Sequence, residues 1–136
     1  MILGAPETST WRFATVEKMS GITTPGWPLT GGITFYESAV NISFSSIGNN
    51  ATEDALNVVR SHFSLDHVEF QNTTSDAFDG DFITGTLSQC SFHDIMGDAF
   101  DVSGSEATVS DSYFVNIGDK AISAGESSHL ILRNLN

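Results

Sequence analysis

The motif Asp76-Ala77-Phe78-Asp79 limits what this chain can become, because versions of it return at a fixed interval. Asp54-Ala55-Leu56-Asn57 precedes it, and Asp98-Ala99-Phe100-Asp101 and Lys120-Ala121-Ile122-Ser123 follow, placing the alanines at 55, 77, 99 and 121. A period of about 22 residues marks one supersecondary unit stacked on copies of itself. Other columns keep the step: Leu65, Leu87, Val109 and Ile131; Leu56, Phe78, Phe100 and Ile122; Val58, Gly80, Val102 and Ala124; Val68, Cys90, Ser112 and Asn134. Within a coil the apolar columns sit two residues apart, as at 56 and 58 or 68 and 70, which is strand spacing with alternate residues facing one interior. Asn72, Asp94 and Asn116 also recur at the same step and suit the left-handed backbone of a corner.

These columns predict an all-β fold: a right-handed parallel β-helix, or solenoid, of about 22 residues per coil and roughly five coils, with about three short strands per coil. The stretch Glu53 to Arg60 could begin a helix, but it aligns with residues 75–82 and 97–104, both rich in Gly and Asp, and is read as strand. Phe44 to Phe70 is 26 residues where Phe70, Phe92 and Phe114 keep the shorter step, so an insertion is expected at Asn49 to Glu53. Residues 1–31 hold all three prolines and both tryptophans (Trp11, Trp27), with turn chemistry at Pro25-Gly26-Trp27-Pro28. They are expected to form an irregular N-terminal coil partly capping the stack, with the repeats in 32–136. Met1 to Ser9 has neither the basic nor the apolar segment of a signal peptide. The sequence stops at Asn136 within a further coil and shows no capping helix, so the open strand edges predict a homo-oligomer by end-to-end or edge association, or a fragment of a longer protein.

Composition removes some functions. Seventeen acidic residues against five Lys and Arg give a net charge of −12. Nucleic acid and anionic membrane surfaces are therefore excluded as partners, since both are held by basic side chains. No apolar run approaches the ~20 residues of a membrane span. The single cysteine, Cys90, cannot form an internal disulfide, and its column places it in the core.

The repeats resemble the right-handed parallel β-helix region of large bacterial proteins, including some with a spore-coat-H-like kinase domain. The likeness is carried by Ile33 to Ser38, Asp54 to Asn57, Asp76 to Asp79, Asp98 to Ser105 and Gly118 to Glu126, and covers roughly residues 31–136. The wider pattern is similar to that of pectate-lyase-like and polygalacturonase-like enzymes. The resemblance implies the fold and an extracellular or cell-surface setting, without a defined activity. No kinase-like domain is present in this chain.

Chemistry is expected on one outward face. If Phe78 and Gly80 point inward, Ala77, Asp79 and Asp81 point outward, and Ala99, Asp101 and Ser103 follow one coil on. Asp79 and Asp101 are then neighbours across the ladder, with Asn57 on the coil before. Adjacent carboxylates repel, so one takes up a proton or a cation lies between them. Three readings fit Asp79, Asp81 and Asp101: a solvated acidic surface, a calcium site that stiffens the stack, or a catalytic carboxylate set acting on polysaccharide. A lyase also wants an aligned basic residue, and Arg60 lies near this column but not on it. Asp54, Asp76 and Asp98 form a corner column whose side chains should accept backbone N–H bonds, and Lys120 could pair with Asp98. His62, His67, His93 and His129 fall in four different columns, without zinc-ligand spacing. Tyr36, Tyr113, Trp11 and Trp27 are candidates for stacking on sugar rings. The leading expectation is a non-enzymatic structural or binding module that requires no cofactor, self-associates through its ends, and binds cations or carbohydrate. The alternative is a polysaccharide lyase or glycoside hydrolase using Asp79, Asp81 and Asp101. Coils of 22 residues leave little room for the loops that would wall a substrate groove.

Overall fold

The computed structural model describes residues 1–21 and 29–136. The predicted turn at Pro25 to Pro28, with Trp27, lies outside the described residues. The first coil supplies β1 (Ile2–Leu3), β2 (Ser9–Arg12) and β3 (Thr15–Glu17), and the second β4 (Gly31–Tyr36) and β5 (Val40–Asn50). The third holds β6 (Asp54–Val59) and β7 (His62–Thr73), and the fourth β8 (Asp76–Asp81), β9 (Thr84–Ser88) and β10 (Ser91–Ile95). β11 (Phe100–Ser103), β12 (Glu106–Ser110) and β13 (Tyr113–Ile117) make the fifth, and β14 (Ile122–Ala124) and β15 (His129–Arg133) begin another.

All pairings are parallel, and like strands stack on like. The first face runs β1-β4-β6-β8-β11-β14. The long β5 and β7 bend across a corner. Their first halves join β2, β9, β12 and β15 as a second face, and their second halves join β3, β10 and β13 as a third. The molecule is thus a three-sided parallel β-solenoid of about five turns, as the repeat predicts.

The corners explain how short strands can turn so sharply. Each of the three carries a column of left-handed residues with φ of 48–60°. One contains Glu37, Arg60 and Phe82, another Phe44, His67 and Gln89, and the third Asn49, Asn72, Asp94 and Asn116. The expected corner role of Asn72, Asp94 and Asn116 is what the backbone adopts. Elsewhere non-glycine residues accept a cost of about 1 kcal/mol each to make the turn.

The interior is a set of side-chain ladders. Phe70, Phe92 and Phe114 stack at 4.8 and 5.0 Å with rings 3° and 10° from parallel, and Phe78 and Phe100 stack at 4.9 Å. Such pairs add about 0.5–1.5 kcal/mol each beyond their burial. Gly80 interrupts the column of Val58 and Val102 because Ile83, turning in from the corner, fills its place. A Cβ at Gly80 would collide with the Ile83 side chain. Interior serines satisfy the backbone where strands end. Ser112 Oγ accepts the Cys90 N–H (3.0 Å) and donates to the Ser110 carbonyl (2.7 Å), and Ser105 treats Ile83 and Ser103 the same way.

Register corrects four details. Phe70 pairs with Ile47, not Phe44, which is a corner residue (φ 48°). The step from the second coil to the third is therefore 23 residues, and the insertion is one residue within 51–53 rather than four. A second extra residue between Ala124 and His129 makes Leu132, not Ile131, the partner of Val109, and moves Asn134 to a corner (φ 49°). Ala55, Ala77 and Ala99 are fully buried instead of facing outward. Strict alternation is broken here, since Ala77 and Phe78 are buried in succession, and the Ala77 and Ala99 N–H groups reach the carbonyls of Asp98 and Lys120 on the next coil.

Candidate functional site

The first face presents the acids. Thr34, Asn57, Asp79, Asp101 and Ser123 fall in one outward column, and Tyr36, Val59, Asp81 and Ser103 in the next. Asp79 and Asp101 are direct ladder partners. Together with Glu53, Asp54 and Asp76, the acids Asp79, Asp81 and Asp101 line a cleft of about 380 Å³ whose other described walls include Leu29, Thr30 and Tyr36. Among the described residues no lysine or arginine lines it.

Two carboxyls in the cleft are strongly perturbed. Asp79 is pushed up to about 7, first by burial, then by the charges of Asp54 and Asp81; the Asn57 amide, donating at 2.5 Å, opposes the rise. Asp54 is pushed up to about 6, again chiefly by burial, against a hydrogen bond from Thr30. Removal from water favours the neutral acid, and neighbouring negative charge adds to it.

Asp54 was expected to behave like the rest of its corner column, and it does not. Asp76 Oδ1 accepts the Asp98 N–H at 2.8 Å, and Asp98 Oδ1 accepts the Lys120 N–H at 2.8 Å. Lys120 Nζ lies 3.3 Å from Asp98 and 2.6 Å from Asp119, which realises the Lys120–Asp98 pair. Gly97 makes room for this arrangement, since a Cβ there would strike the Asp76 carboxylate and the Ser75 backbone. The matching donor for Asp54 would be the Asp76 N–H. That group bonds instead to the Glu53 carbonyl (2.9 Å), at the corner that carries the extra residue. Asp54 is only 4% exposed, and its Oδ2 is buried without a hydrogen-bond partner among the described residues.

No three or more His, Cys, Asp or Glu side chains among the described residues are grouped so as to hold one metal ion. Asp79, Asp81 and Asp101 share the cleft but are strung along it. Asp54 is the residue that sequence reasoning missed as part of this site. Its signal was the insertion itself, which changes the donor facing the carboxylate.

The other candidates lie apart. Arg60 sits at a corner, its Nη1 2.6 Å from the Tyr36 hydroxyl and its guanidinium 5.7 Å from the centre of the Phe82 ring. Trp11 packs edge-on against Phe35, and Tyr113 is exposed on the third face. Cys90 is buried and its thiol is pushed up to about 12 by desolvation, so it is inert. His93 bonds Glu69 (3.0 Å) and Asp94 (3.3 Å), His67 lies 3.2 Å from Asp66, and His62 contacts Thr84. None of these histidines lines the acidic cleft.

One further surface stands out, at the end of the stack. From Tyr113 onward no described residue is fully buried, and Phe114, Ile117, Ile122, Leu130 and Leu135 are covered on one side only by the coil before them. Among the described residues the outer edges of β13, β14 and β15 have no neighbouring strand, and on β13 the Phe114 N–H donates to the Asn136 carbonyl (2.8 Å). No protein-family model, curated protein or solved structure matches the chain, so it stands on its own geometry as a parallel β-solenoid with an acidic cleft.

Proposed function

We propose that this chain is a non-enzymatic structural and binding module that pairs with a second copy of itself through its last coil. The supporting observation is the half-covered interior of that coil, where Phe114, Ile117, Ile122, Leu130 and Leu135 meet solvent beside three open strand edges. Apolar side chains and unpaired backbone groups presented together recruit another sheet edge. The same end of a second copy offers the same combination, and a two-fold arrangement closes the contact. Sedimentation velocity across a concentration series should show a monomer–dimer equilibrium. Leu132→Lys should shift it to monomer by at least about tenfold in Kd, with the β-sheet circular dichroism retained. A folded monomer at every concentration, or an open-ended polymer, would overturn the reading.

A second reading, a polysaccharide lyase or glycoside hydrolase, is favoured by Asp79. A carboxyl at about 7 within a cleft is partly protonated at neutral pH and can donate its proton to a glycosidic oxygen, with Asp101 or Asp81 as base. The module reading expects no turnover of acidic or neutral polysaccharides. Turnover that disappears in the Asp79→Asn, Asp101→Asn double variant would replace it.

A further inference from the structure

We infer that the acidic cleft on the first face binds an organic cation bearing primary ammonium groups, of which an aliphatic diamine is the simplest. This does not depend on self-association, because the cleft opens on the first face of the stack and Phe114, Ile117, Ile122, Leu130 and Leu135 do not line it.

The observation that points to a ligand is Asp54. Its side chain is almost wholly buried and lines the cleft, and among the described residues Oδ2 has no donor. The next two members of its column each hold a backbone N–H from the following coil. The Glu53 carbonyl has taken the donor that would serve Asp54. A buried carboxylate oxygen needs an N–H or O–H, and an ammonium group supplies three.

The spread of charge selects the kind of cation. Glu53, Asp76, Asp79, Asp81 and Asp101 surround Asp54 across three coils. Coils are spaced at ~4.8 Å and the acids fall in three columns, 54/76, 79/101 and 81, so they spread across the face. A metal ion needs its ligands on one point, and among the described residues no group of three acids provides it. An elongated cation with ammonium groups at its ends can meet carboxylates that stand apart. Its methylene stem has apolar wall to lie against in Leu29 and Val59. The volume of about 380 Å³ suits a small organic molecule. Lys120 is engaged with Asp98 and Asp119, and Arg60 with Tyr36, while Met1, which carries the α-ammonium group, lines the cleft.

Binding should also expel protons. Asp54 and Asp79 hold theirs up to about 6 and about 7, and they are faced by the acids Glu53, Asp76, Asp81 and Asp101, with Tyr36 and the amino-terminal Met1 also on the cleft wall. Affinity should therefore rise from about pH 5 to about pH 8 and then level off.

The test is isothermal titration calorimetry of the full chain with diaminobutane, with neutral butanediol and calcium chloride as comparison arms. Expected are one-to-one binding of the diamine with proton release near neutral pH, and no heat from the diol. Asp54→Asn and Asp79→Asn should each weaken the diamine by about tenfold or more. Asp66→Asn, on the second face, should leave it unchanged. Both cleft substitutions are isosteric, and a thermal melt of each variant verifies folding. The inference is overturned if the diamine does not bind, if Asp54→Asn and Asp79→Asn both bind it as the native chain does, or if calcium binds tightly and excludes it.

Discussion

Asp54 and Asp98 stand in one corner column two coils apart, equally buried, and they live in opposite circumstances. Asp98 accepts the Lys120 backbone N–H and lies beside the Lys120 ammonium. Asp54 has an Oδ2 with no partner among the described residues and a carboxyl pushed up to about 6. The residue type and the column are the same. What differs is a single extra residue in 51–53, which hands the Asp76 N–H to the Glu53 carbonyl. In a solenoid a local insertion does not disturb the stack; it redistributes donors at one corner and can leave a reactive or binding group behind.

The comparison is broken most forcefully at Asp98. Asp98→Ala strips the Lys120 N–H of its acceptor, and urea denaturation should show a loss of about 2–3 kcal/mol. Asp54→Asn should act in the other direction and by less, raising stability at pH 8 by roughly 1–2 kcal/mol, because it removes a buried charge whose hydrogen bonding is incomplete. That gain should fade toward pH 4. A carboxyl whose folded pKa lies above its unfolded value binds more protons in the native state, so stability falls as pH rises between the two. For Asp54 the window is from about 4 to about 6, and for Asp79 from about 4 to about 7. The native chain should therefore melt at lower temperature at pH 8 than at pH 5. An Asp54→Asn, Asp79→Asn double variant should flatten that slope, and a slope left intact would assign it to other groups.

The architecture was legible because a period in the chain becomes a column in space. Leu56, Phe78 and Phe100, or Phe70 and Phe92, needed only counting to be placed in contact. Counting failed where chemistry imitates the pattern. Phe44 and Ile131 are apolar and close to the right step, yet one is a left-handed corner and the other faces out beside Thr108. Strand alternation predicted the outward set of Asn57, Asp79 and Asp101, but it breaks near the start of β6 and β8, where Ala55 and Leu56, and Ala77 and Phe78, are buried in succession. The character of Asp54 was out of reach for another reason. It depends on which of two acceptors wins one N–H, a competition decided by geometry at a corner.

The ladder bonds also give the molecule a mechanical grain. Strands pair only with the coil above and the coil below, and the described chain begins at one end of the stack and finishes at the other. Tension on the two ends would pull along the hydrogen bonds and load one rung at a time, not shear many together. Each rung let go frees 22 or 23 residues from the second coil onward, about 75 Å of extended chain at ~3.4 Å per residue. The solenoid would pay out like tape from a reel, in nearly equal lengths set by the repeat.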